Sequence, residues 1–103
     1  MRKKNIKNFA HHLAHKQHNE AVKDLFEWTQ EMKAYRARLT EAINEIRHPY
    51  DWQKSRDFYK NQRLLIDNLK YELAIAKANI QQLSMECRVS NMEIRHYSKL
   101  NNN

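Results

Sequence analysis

The segment HHLAHKQH places His11, His12, His15 and His18 close together. Neutral imidazole is a ligand for zinc and nickel, and histidines four apart share a helix face. His11 and His15, with His18 three further on, are therefore the arrangement in this chain most suited to a metal. A metal site needs three or four converging ligands. Residues 1–19 contain no cysteine, aspartate or glutamate to complete one, and only His96 is well placed to join them. The expectation is no metal and no cofactor, with His11, His15 and His18 as weak candidates. Their plainer role is a polar helix end that gains charge in mildly acid solution.

A second chemistry is phosphate contact. The chain carries 19 Lys and Arg against 12 Asp and Glu, a net charge of +7. The segments 1–19, 20–46, 47–63, 64–87 and 88–103 carry net +5, −2, +3, −1 and +2. If the chain folds back on itself, its first and last segments combine into a basic pole, the turn forms a second, and the middle is mildly acidic. Arg2, Lys3, Lys4, Lys7, Lys16, Arg88, Arg95 and Lys99 are the candidate contacts to nucleic acid or to an acidic protein surface. Lys and Arg bind backbone phosphates without reading sequence. The plainer reading is a solvated end.

The third cluster surrounds RHPYDWQKS, residues 47–55. Tyr50, Trp52, Arg56, Phe58 and Arg63 are residue types that anchor protein interfaces, and aromatics beside basic groups also suit single-stranded nucleic acid. They are expected to bind a partner or to close the end of a hairpin as a hydrophobic cap. Enzyme signatures are missing. A glycine-free chain cannot build a glycine-rich phosphate loop. No nucleophile–base order stands out, and a narrow helical rod offers little enclosed volume for catalysis. No enzymatic activity is expected.

These residues must be mounted on helices. With no glycine and one proline, the chain is poorly supplied for strand turns, whereas Ala, Leu, Glu, Lys, Gln and Arg favour helix. Helix 1 is expected over about 4–47, with a possible interruption near Asn19. The turn falls at 48–51, helix 2 runs from about 52 to 98, and 99–103 is a frayed tail. Pro49 stops the first helix and Asp51 caps the second. All of it reads as one domain of 103 residues.

Helix 2 carries the sharpest pattern. Ile66, Leu73, Ile80, Cys87 and Ile94 are seven apart, interleaved with Leu69, Ala76, Leu83, Ser90 and Tyr97. That is a heptad seam, with Ile66, Leu69, Leu73, Ile80, Leu83 and Ile94 as its principal residues, and it implies left-handed supercoiling against a partner helix. On helix 1 the seam is read at Val22, Leu25, Thr29, Met32, Arg36, Leu39, Ile43 and Ile46. Met32 lies on it, while Met85 and Met92 lie off the second seam and read as packing or groove residues. Cys87 reads as a small buried hydrophobe.

The fold class is thus all-α, a long antiparallel helical hairpin or coiled coil, completed by dimerisation or by a partner protein, because two helices alone make a thin core. A lone cysteine, no apolar leader region and no bilayer-length apolar run point to the cytoplasm, with no membrane and no small-molecule substrate. The function expected is a small basic adaptor or inhibitor of a nucleic-acid-processing complex, of a size found among phage and mobile-element products. The alternative is a structural coiled-coil subunit with no nucleic-acid contact.

Overall fold

Helix-forming residues run almost unbroken on either side of Pro49, and the chain forms two long helices accordingly. The computed structural model describes the backbone of residues 2–47 and 54–102, and the side chains of 8–47 and 54–100. Helix α1 spans Arg2–Glu45 and α2 spans Arg56–Asn102. The protein is an all-α helical hairpin. Among the described residues no helix is long and apolar enough to cross a membrane.

Several boundaries differ from expectation. Helix α1 passes through Asn19 without a break. It ends at Glu45, where amides of Ile46 and Arg47 donate to carbonyls of Ile43 and Asn44, both at 3.2 Å, tightening the last turn. Lys54 and Ser55 are not helical, so α2 starts at Arg56 rather than near Trp52. Its cap is Ser55, whose hydroxyl accepts from the Phe58 amide at 3.1 Å. Asp51, the expected cap, and Pro49 lie outside the described residues. Residues 99–102 continue α2 instead of fraying. Asp57 in its first turn and Lys99 in its last suit the helix dipole. Helix α1 has no acid in its first turn and no base in its last.

Contacts group into two compact units that share both helices: unit 1 is Met1–Glu27 with Asn79–Asn103, and unit 2 is Trp28–Ala78. Within unit 1, His11 meets Ser98 and His18 meets Ser90. The α2 partner number falls as the α1 number rises, which is antiparallel packing. Unit 2 centres on Ala42, Ile66 and Leu69, flanked by Tyr35, Leu39 and Ile46.

The α2 seam is buried or half-buried at all ten heptad positions from Ile66 to Tyr97, with Ala76 at 0% exposure. Half-buried Tyr59 and Gln62 extend the same spacing toward the start of the helix. The α1 seam is in a different register from the one expected. Leu25, Met32, Leu39 and Ile46 keep their places, but Val22 is 45% exposed, Ile43 41%, and Arg36 is exposed as well. Ala21, Tyr35 and Ala42 take their places one residue earlier, and Trp28 joins half-buried Thr29; with His11, Ala14 and His18 they give an unbroken heptad. The cause is steric and electrostatic together. Alanines add little to an apolar pattern but let two helices approach closely. The shift also brings the area of Trp28 and Tyr35 inward and releases the Arg36 guanidinium, which lies 3.9 Å from Met32 Sδ.

Candidate functional site

Unit 1 holds the polar seam. His18 Nδ1 lies 2.7 Å from Ser90 Oγ, and Ser90 is buried. The Ser90 hydroxyl also donates to the Cys87 carbonyl at 3.1 Å. A hydroxyl has one proton, so with that proton on the carbonyl, Nδ1–H of His18 must be the donor to Ser90. His15 Nε2 is 3.1 Å from His11 Nε2, which requires one ring to donate and the other to accept. Ser98 Oγ is 3.4 Å from His11 Nε2, and the His11 ring lies near Tyr97 at 6.5 Å. The histidines are thus distributed: His11 and His18 lie in the seam, and exposed His15 reaches His11 from outside it. Among the described residues no three His, Cys, Asp or Glu side chains are grouped to hold a metal ion. Cys87 is a half-buried free thiol.

One flank of unit 1 is a groove. Two adjoining hollows of about 480 and about 610 Å³ share Gln17, Val89 and Glu93. Ala10, Ala14 and Ala21 supply depth by lacking bulk, and Leu13, Val89, Met85 and Met92 supply the apolar surface. Met85 is 65% exposed and Met92 68%. Glu20, Asp24, Glu86 and Glu93 line it too, whereas Lys and Arg do not. On α1, Lys16 and Lys23 border another hollow with His12, His15, Asn19 and Glu20, so Glu20 stands between the groove and these lysines. The heptad explains this partition, because residues flanking the seam on one side of each helix meet across the hairpin, while Lys16, Lys23, Arg88 and Arg95 fall elsewhere on the wheel and Lys99 follows Met92 by one heptad. Nothing in the apolar pattern of either helix alone marked the groove; pairing the acidic and methionine positions across the hairpin would have.

The basic candidates do not converge with that groove. Lys16, Arg88, Arg95 and Lys99 are exposed, and Arg88 and Arg95, seven apart, share a face of α2. Neither has an ion-pair partner among the described residues. The side chains of Arg2, Lys3, Lys4 and Lys7 lie outside the described residues.

At the turn end, within unit 2, Lys54 Nζ donates to Glu45 Oε2 at 2.8 Å and sits 4.6 Å over the Phe58 ring. Phe58 meets Tyr59 edge-on at 5.5 Å. Phe58 is therefore half-buried in a clasp that joins the end of α1 to the start of α2, while Arg56 and Arg63 are exposed. Tyr50 and Trp52 lie outside the described residues. Farther along unit 2, the Tyr35 phenol is held above its ordinary value. Partial burial is the main cause, followed by the Glu31 and Glu72 carboxylates and a hydrogen bond to Glu31, with Arg38 opposing.

Compared with known proteins, the chain matches no family model, no curated sequence and no solved structure.

Proposed function

We propose that this chain is a small helical binding protein, an adaptor or inhibitor that docks on another protein, and not an enzyme. The observation that supports this reading is the grouping of Leu13, Val89, Met85 and Met92 on one exposed flank of unit 1. Two paired helices bury one stripe each, and large apolar side chains left outside that stripe are a surface for another chain. The partner class we infer is a nucleic-acid-processing complex. Exposed Arg88 and Arg95, set one heptad apart, are suited to neighbouring phosphates of a nucleic acid held by that complex.

Sedimentation velocity of the full chain across a concentration series tests the docking reading. A species that stays monomeric is expected. A stable dimer or tetramer that dissociates on Val89→Glu would instead establish the structural coiled-coil subunit. The nucleic-acid contact is checked by mobility shift across a salt series. Binding should weaken steeply with salt, and Arg88→Ala with Arg95→Ala should lower both the affinity and the salt slope. Binding indifferent to salt overturns it.

A further inference from the structure

The unit 1 groove combines an apolar floor with an acidic rim in a chain of net charge +7. We infer that this groove takes a basic amphipathic helix of a partner protein, laid between α1 and α2 to complete a three-helix bundle. This rests on the reading of the chain as a docking protein and names what docks.

First, the lining excludes Lys and Arg and includes Glu20, Asp24, Glu86 and Glu93, so its charged side chains are opposite in sign to the net charge, with Glu20 at the border of the Lys16 and Lys23 hollow. Positive side chains flanking an apolar stripe complement that rim, and their register is fixed by it. Second, the occupant is a helix rather than an extended strand. The backbone groups of α1 and α2 are already paired within each helix, leaving no edge for a strand to join. A helix satisfies its own backbone before it meets the apolar floor. Third, the size fits. The groove runs from Ala10 to Asp24 on α1, which at about 1.5 Å per residue is roughly 20 Å, or about four helical turns. Fourth, Met85 and Met92 are unbranched and polarizable, so they can reshape the floor around an apolar stripe. A second copy is disfavoured as occupant. Setting this groove against itself in a two-fold dimer would bring like acidic rims together.

The test uses the full chain and three designed helical peptides of about 15 residues, long enough to fill the groove. One has Leu at i, i+3, i+4 and i+7 with Lys elsewhere. The second keeps the Leu positions with Glu in place of Lys. The third is the Lys peptide with its Leu positions scrambled. Fluorescence anisotropy of labelled peptide reports binding. The Lys/Leu peptide should bind saturably and at least about tenfold more tightly than either comparison peptide. Glu86→Lys with Glu93→Lys should weaken it by a similar factor. The control Glu41→Lys with Asp67→Lys, which makes the same change in net charge within unit 2, should leave it unaltered. Circular dichroism confirms that both variants stay helical.

If the control weakens binding equally, attraction is to bulk charge and the groove is not the site. Equal affinity for the Lys and Glu peptides overturns the charge argument. A monomeric chain whose peptide affinity ignores the Glu86 and Glu93 changes refutes the groove assignment while the docking reading survives. Self-association that buries Val89 and excludes peptide refutes both.

Discussion

Unit 1 and unit 2 are made from the same two helices with the same heptad spacing, yet they fill the seam differently. In unit 2 the seam holds Trp28, Met32, Tyr35, Leu39, Ala42 and Ile46 against Tyr59, Ile66, Leu69, Leu73 and Ala76, with Gln62 as the polar exception. In unit 1 it holds His11, Ala14, His18, Ala21 and Leu25 against Ile80, Leu83, Cys87, Ser90, Ile94 and Tyr97. Unit 2 has more aromatic and large apolar side chains in its seam, although Ile43, Leu64, Leu65 and Tyr71 stay outside it. Unit 1 mixes Leu25, Ile80, Leu83 and Ile94 with small and polar seam residues and carries Leu13, Met85, Val89 and Met92 outside. Burial of apolar area is the main favourable term in folding, so unit 2 is where the hairpin is stabilised. Unit 1 leaves apolar area uncovered, the surface that the proposed docking would use. A region with few buried apolar contacts opens more readily, so its amides should exchange first.

The most severe way to break this comparison is Leu69→Ala. Leu69 is 6% exposed in the centre of unit 2, and truncation there leaves a cavity. The expected loss is about 2–5 kcal/mol, read from urea denaturation, with the whole hairpin melting as a result. The matching change one unit away, Leu13→Ala, removes an exposed side chain and should shift the midpoint little. Equal losses at the two positions would mean that the units do not divide the work of folding.

A second test addresses the α1 register. Ala21 is buried and its neighbour Val22 is exposed, although the apolar pattern alone favours Val22. Ala21→Glu should cost on the order of 2–3 kcal/mol because a carboxylate is forced into the seam. Val22→Glu should stay within about 0.5 kcal/mol of the parent. The opposite ranking would restore the register that runs through Val22, Thr29, Arg36 and Ile43.

That pair of positions also indicates what the sequence could and could not reveal. The α2 seam was legible because Ile and Leu recur at heptad spacing with few competing apolar neighbours. On α1, Val22 and Ile43 compete with Ala21 and Ala42, and a pattern weighted by hydrophobicity prefers the larger side chain. Packing decides otherwise, since the closest helix approach favours the smaller one. The candidate groove was hidden for a related reason. Its acids and methionines sit on two helices more than fifty residues apart in number, and only the antiparallel register sets Glu20 and Asp24 beside Glu86 and Glu93. Net charge pointed the other way, toward a uniformly basic end.

Removing the α2 cap is a smaller perturbation. Ser55→Ala leaves the Phe58 amide without its acceptor at the point where Lys54 and Phe58 clasp the two helices. A loss of about 1 kcal/mol is expected. Amide exchange should accelerate in the first turn of α2 and stay unchanged in the histidine layer of unit 1. Acceleration in both would show that the clasp supports the seam of unit 1 as well.

The smallest effect probes a polar group at the edge of the better-packed unit. Tyr35 has its phenol raised above 10.0 by partial burial, by Glu31 and Glu72, and by the hydrogen bond to Glu31. The raised value means that folding favours the protonated phenol. Its contribution to stability is therefore fully present below the unfolded value and is lost as pH rises through the folded one. Tyr35→Phe removes the hydroxyl and should lower the urea midpoint slightly at neutral pH. The gap between parent and variant should then narrow as pH climbs past about 10, since the ionised phenolate is repelled by both carboxylates. Urea midpoints of both chains across that range provide the readout, with phenolate absorbance tracking ionisation. A gap constant with pH would place the hydroxyl out of reach of Glu31 and Glu72, and the edge of unit 2 would then owe its cohesion to apolar contact alone.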